Sequence, residues 1–228
     1  MSDDTEIGQN SILKGYNLLL YFAGSMVMYE PVEECVNDFW ANGMLATLPV
    51  NSRNPRFIEA ASQLRCSCGE VAECTEMLRN DYRKLFKGPE RPLVSPVRST
   101  YKISGAAYNL EPEKVTEFYD AYGWKFRSRY KIPDDHIGIE LLFLTLLIDK
   151  YIDFDDEACR KEMRIEIMRF IEHHILNWIP AWNRQMQLHA STLCYKGIST
   201  LIYASCEDIY TLLDSTRSKT EIQAEFRN

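Results

Sequence analysis

The run from Ile137 to Ile148, Ile-Gly-Ile-Glu-Leu-Leu-Phe-Leu-Thr-Leu-Leu-Ile, constrains this chain more than any other stretch. It is apolar on all faces, the pattern of a helix at the centre of a globule. It is too short and too interrupted to span a membrane, which needs about 20 apolar residues. Pro133 followed by Asp134 and Asp135 reads as the helix start, with an aspartate capping the first free backbone N–H groups. A titratable cluster of Asp134, Asp135 and His136 therefore sits at the lip of the most buried helix, where a helical protein most readily builds a binding groove.

The rest of the chain repeats helical punctuation. Residues 1–6 read as a polar tail. From Ile7 to about Tyr29, Ile12, Leu13, Tyr16, Leu19 and Leu20 recur at helical spacing. Pro31 opens a second helix through Phe39 and Trp40, closed by Asn42-Gly43. Pro55 opens a third, to about Cys66. Glu70 to Lys87 is amphipathic, with Cys74, Leu78, Tyr82, Leu85 and Phe86 on one face and Gly88-Pro89 as the stop. Residues 88–109 hold Pro89, Pro92 and Pro96 and little periodicity, the signature of a linker or hinge. Glu111-Pro112-Glu113 starts a further helix that ends at Gly123. After the central run, helices follow over Ala158–Trp178, Ala181–His189 and Ser191–Leu213, and the residues from Ser215 on are polar and frayed. Strand signals are scarce and no internal repeat stands out. The expected fold is all-α, one bundle-like domain of roughly eight to ten helices, or two lobes joined by the proline-containing hinge.

A chain of 228 residues is long enough to bury a substantial core. Its net charge of −7 argues against nucleic acid, which calls for a basic face. The apolar stretch from Ile12 to Met28 is flanked by Asp3, Asp4 and Glu6, the wrong charge for a secretory signal, so it reads as a first core helix. The seven cysteines are odd in number in a chain that is not small, which favours reduced thiols in a cytoplasmic protein.

No phosphate-cradling glycine loop and no His-Glu-x-x-His motif occurs. His173 and His174 are adjacent, about 100° apart around a helix, so one packs and the other faces solvent. Cys66, Cys68 and Cys74 are candidates for a soft metal or a redox pair, although their spacing is not Cys-x-x-Cys, and Cys74 also fits the apolar face of its helix. Asp134, Asp135 and His136 make a candidate acid–base group in which neighbouring carboxylates would hold the histidine as imidazolium. No nucleophile, cofactor loop or metal set accompanies it, and spacing alone reads as a helix cap and a packed histidine.

Four blocks occur in order: Tyr82-x-x-Leu85-Phe86-x-Gly88-Pro89; Pro96-x-x-Ser99-x-Tyr101; Pro133-Asp-Asp-His136-Ile-Gly-Ile-Glu140-Leu141-x-Phe143-Leu144; and Phe170-x-x-x-His174-x-x-x-Trp178. Together they resemble the TorD/DmsD/NarJ family of redox-enzyme maturation chaperones. The resemblance implies a non-enzymatic, all-helical, cytoplasmic protein with no cofactor of its own. Such a protein binds the twin-arginine leader or N-terminal segment of a molybdopterin-containing oxidoreductase subunit, delaying export and assisting folding and cofactor insertion. It also implies a monomer or a domain-swapped homodimer. Asp135 and His136 are the first candidates for peptide binding, then Tyr101, Leu85 and Phe86. Asp134 and Glu140 are further carboxylates for the leader's guanidinium groups, and Trp124 a further wall. The family block usually reads Pro-Trp-Glu-Ser-Val-Tyr, where this chain has Pro96-Val97-Arg98-Ser99-Thr100-Tyr101. The positive charge of Arg98 would repel a leader's arginines. Two alternatives accompany this reading: a cysteine-based metal or redox protein, and a nucleotide-binding or hydrolysing protein built on His136.

Overall fold

Residues 2–41, 48–69, 71–88, 91–101, 114–128 and 131–214 are described by the structure, a computed structural model. Among them the chain is all-α. The helices are α1 (Ser2–Met28), α2 (Glu33–Val36), α3 (Pro55–Arg65), α4 (Val71–Phe86), α5 (Val115–Ala121), α6 (Ile137–Asp153), α7 (Glu157–Phe170), α8 (Ile179–His189) and α9 (Leu193–Leu213). A π-helical segment, Asn37–Ala41, prolongs α2, and another, Ile171–Leu176, prolongs α7. Among the described residues β pairing is confined to one isolated antiparallel bridge, Val97 with His136. None of the described helices is long and apolar enough to cross a membrane.

The caps follow from local sequence. Asn54 accepts the Arg56 N–H with Pro55 at the start of α3, Asp156 accepts the Cys159 N–H, and Thr192 accepts the Tyr195 N–H. Gly123, in the left-handed region at φ 59°, carries the turn after α5. Two expectations shift. α1 runs back through residues 2–6, expected to be a tail, and α2 begins at Glu33 rather than at Pro31. The Asn42-Gly43 stop, the Glu111-Pro112-Glu113 start, residues 102–109 of the expected hinge and the polar end from Ser215 lie outside the described residues.

Buried side chains from all the described helices join one continuous core, so the described chain is one domain. α6 lies at its centre. It packs on α1 and α7, while α9 packs on α1, α3 and α8. Two tyrosines close the C-terminal end of α1: Tyr82 donates to the Met28 carbonyl at 2.9 Å and Tyr195 to that of Met26 at 3.3 Å. Asp81, buried on α4, clamps the turn before α9 by accepting from Ser191 N, Thr192 N and Thr192 Oγ1 at 2.7–3.0 Å. The described part of the expected hinge is fastened to this body, since the Val94 N–H donates to the Leu85 carbonyl at 3.0 Å and Val94 is buried.

The crossing of α1 and α6 depends on a small residue. A Cβ at Gly138 would lie 2.2 Å from Met28 Cγ and 3.0 Å from the Gly24 carbonyl oxygen, whereas one at Gly24 would make only ordinary contacts at 3.5–3.6 Å. Gly138→Ala should therefore cost about 1–3 kcal/mol through overpacking. Gly24→Ala should be neutral or slightly stabilising, because alanine favours a helix by up to about 1 kcal/mol over glycine. Parallel thermal melts check the pair; equal Tm values for the two variants would refute the asymmetry.

Candidate functional site

The lip of α6 is built by two segments far apart in sequence. The Arg98 N–H donates to the Asp135 carbonyl at 3.0 Å and the Ile137 N–H to the Pro96 carbonyl at 2.9 Å. The Asp135 carboxylate accepts the Ser99 N–H at 2.8 Å. Residues Arg98–Thr100 form a single 3-10 turn on this bridge. Asp134 is exposed, and its carbonyl accepts the Tyr119 hydroxyl at 2.9 Å.

The cap is not an aspartate. His136 caps α6, its Nδ1 accepting the Gly138 N–H at 3.0 Å. Asp135 is drawn away by Ser99, and Asp134 is left to solvent. Nor is His136 held as imidazolium: burial dominates and pushes its pKa down to about 4, against the opposing pull of Asp135 and with help from Lys87. A neutral ring is also what the cap requires, because Nδ1 must be an acceptor.

Glu140 is not an accessible carboxylate. It is wholly buried, with Arg98 Nε 3.5 Å from Oε1, and burial raises its pKa well above the carboxylate range despite the lowering effect of Arg98. Arg98 turns inward toward Glu140, its side chain keeping 11% of its exposure. His174 is buried nearby against Phe118 and Phe170, in the π-helical segment, while His173 is exposed, as the adjacency of the two predicts. Burial first, then the charges of Arg98, His173 and Arg169, lower the His174 pKa to about 3.

The aromatic candidates divide. Tyr101 is half-buried, stacks on Trp178 with ring centres 5.2 Å apart and donates to the Ser95 carbonyl at 2.9 Å. Trp124 is half-buried against Tyr119 and Phe143. Leu85 and Phe86 are core residues, Phe86 packing on Tyr82 and Tyr195. The structure thus gathers Asp134, Asp135, His136, Glu140 and Tyr101 around the bridge and leaves Leu85 and Phe86 in the core.

The cysteines do not converge as ligands. Cys68 and Cys74 form a disulfide with Cα atoms 5.5 Å apart, because the turn at Gly69 folds Cys68 back onto the first turn of α4. This corrects the expectation of seven reduced thiols and leaves Cys66 free and exposed. Among the described residues no group of three or more His, Cys, Asp or Glu side chains is placed to hold a metal ion. A cleft of about 420 Å³, with Ser52, Asn54, Arg56, Leu176, Glu207 and Asp208 among its lining residues, had no motif to announce it. Its inner carboxylate, Asp208, is satisfied by Tyr16, Ser52 and Asn54 at 2.6–2.9 Å.

Fold and site together define an all-helical domain whose central polar groups hold the chain itself in place. A family model described as the nitrate reductase delta subunit matches residues 54–184, more than half of the chain, and the chain belongs to that family, the TorD/NarJ family. The chaperone protein TorD of Photobacterium profundum is 23% identical over 193 residues, 83% of this chain and 89% of that protein. TorD of Vibrio cholerae (strain ATCC 39315 / El Tor Inaba N16961) is 24% identical over 179 residues, 78% of this chain and 80% of that protein. For TorD of Vibrio vulnificus (strain CMCP6) the match is 26% over 130 residues, 57% and 60% of the two chains. These relatives are chaperones, not enzymes.

The two buried histidines make stability pH-dependent. A histidine whose folded pKa is lowered contributes stability that is present above its ordinary value of 6.5 and is lost as pH falls through about 4 for His136 and about 3 for His174. Each should add up to about 1.4 kcal/mol per pH unit to the loss of stability below about pH 6.5. His136→Asn retains a capping acceptor and removes one titrating group, so urea melts from about pH 7 to about pH 5 should show a slope shallower by up to that amount. An unchanged slope would mean that His136 is not held neutral in the fold.

Proposed function

We propose that this protein is a cytoplasmic maturation chaperone for the molybdopterin-containing subunit of an oxidoreductase, and that it binds that subunit's N-terminal segment at the lip of α6. The observation that carries the reading is membership of a family whose relatives are named chaperones, with Pro133 and Asp134 exposed at the lip of α6 and Asp135 half-buried beside them. The exposed Asp134 carboxylate is suited to a first charge-assisted contact with a guanidinium group of the segment. Tyr101 and Trp124, both half-exposed beside the bridge and α5, are suited to the apolar residues that follow in a leader. Binding at this lip keeps the client segment from the export machinery while the subunit folds and takes up its cofactor. A client with a divergent leader fits as well as a standard one, because Arg98 is largely buried and turned inward toward Glu140.

Capture with the full chain as bait, from the host grown anaerobically, should recover such a subunit. Calorimetry with its N-terminal peptide should give a Kd of micromolar or better, about −8 kcal/mol. Asp134→Asn is the cleanest test of the surface, since the side chain supports no element of the fold, whereas Asp135→Ala and His136→Ala also remove a bond to Ser99 and a helix cap. Asp134→Asn should weaken the peptide about tenfold, roughly 1.4 kcal/mol, with an unchanged Tm. Recovery of no oxidoreductase, or a Kd indifferent to Asp134, would sink the assignment or the surface respectively.

A further inference from the structure

Among the described residues, the Glu140 carboxyl group is buried and poorly paired. It is fully buried, and neither oxygen has a partner at ordinary hydrogen-bond length and angle. The ring N–H of Trp178 goes to the His174 carbonyl at 2.7 Å, and its hydrogen-bonding pull on Glu140 is the weakest influence on that carboxyl. Its charge partner, Arg98, meets it edge-on, through Nε at 3.5 Å, and that Nε makes no hydrogen bond either. The same chain shows what a better-made pair looks like: Arg56 Nη1 lies 3.1 Å from both oxygens of Glu207 on the surface. A carboxylate withdrawn from water demands hydrogen bonds to complete its pairing, and the planar guanidinium fork is the group that supplies two at once. Arg98 withholds that fork from Glu140.

The position of Arg98 suggests why. Its side chain keeps 11% of its exposure above a carboxylate that keeps none, so it forms the solvent side of the pair. It rides on the Pro96–Tyr101 segment, attached to the α6 lip by the two backbone bonds of the bridge and the Ser99–Asp135 contact. Glu140 is in the first turn of the central helix, and His174, with neither ring nitrogen hydrogen-bonded, lies on the π-helical segment within electrostatic reach of Arg98. We propose that Glu140 is a guanidinium receptor which the chain fills with its own Arg98, and that an arginine of a bound peptide takes the Glu140 carboxylate by displacing Arg98. This deepens the leader-binding reading and rests on it for the owner of the incoming arginine; the receptor itself rests on the geometry of Arg98 and Glu140. Asp134 and Asp135, at the mouth, would meet the cation first, and Glu140 would hold it after the bridge segment moves aside.

The receptor is testable with no client. The probe is methylguanidinium chloride at millimolar concentration, with methylammonium as the point-charge control, read by the Tm of the full chain. Arg98→Ala should gain Tm saturably with methylguanidinium and several-fold less with methylammonium. The unmodified chain, its site filled, should respond several-fold more weakly than Arg98→Ala. Adding Glu140→Gln to Arg98→Ala should abolish the response. Arg98→Met, which keeps the apolar stem, repeats the titration should the alanine variant not fold, and a variant that folds only with methylguanidinium present supports the site equally. No saturable response in either variant, a response that survives Glu140→Gln, or an equal response of the unmodified chain overturns the proposal. Failure here leaves the leader-binding reading standing, and failure to capture an oxidoreductase leaves the receptor standing.

Discussion

A helix buried on nearly every face cannot hand the backbone N–H groups of its first turn to water. In α6 that constraint organises everything around it. The Ile137 N–H goes to the Pro96 carbonyl and the Gly138 N–H to the His136 ring. The first of these partners comes from a segment about forty residues earlier in the chain, so satisfying the helix obliges residues 96–101 to lie across its mouth. Once they do, Ser99 meets Asp135, Tyr101 lands on Trp178, and Arg98 is left over Glu140. The arrangement at the lip is the consequence of a backbone requirement rather than of side-chain attraction.

The course of the chain was largely written locally. The continuous apolar run marks α6, the Asn54-Pro55 and Asp156 signals mark helix starts, and Gly123 marks a stop, because each acts within a turn or two of itself. The blocks at Tyr82, Tyr101 and Pro133 were likewise sufficient to point to the family that the comparison with known proteins then established. What was not legible depends on partners distant in sequence. Three consecutive residues, Asp134, Asp135 and His136, are all chemically able to cap a helix, and the choice among them is made by Ser99, which claims Asp135. The sign of the His136 pKa shift was misjudged for the same reason. Its sequence neighbours are carboxylates, but the low-dielectric packing around it outweighs them.

Arg98 illustrates the limit most clearly. By sequence it is a charge in a polar stretch, and the ordinary expectation for such a residue is exposure. Nothing within a few residues of it is acidic, and its partner lies on another element inside a run that reads as pure core. A lone glutamate in such a run was the available signal. An acid that interrupts a buried apolar helix requires a counter-charge from elsewhere in the fold.

The three carboxylates within seven residues of one another consequently do different things. Asp134 is solvated and can attract a cation without giving anything up. Asp135 is committed to one backbone N–H and retains a second oxygen. Glu140 is desolvated and incompletely paired. For a cation arriving from solvent, pairing with Asp134 is screened by water, and pairing with Glu140 becomes stronger only once that buried carboxyl has lost its proton and Arg98 has moved aside. Entry is opposed in the same order: nothing bars Asp134, one hydrogen bond guards Asp135, and the bridge with its own arginine guards Glu140. A surface graded in this way favours a ligand that can contact the outside first and exchange with the inside later. An extended peptide segment does so, and a small ion that occupies one position at a time does not.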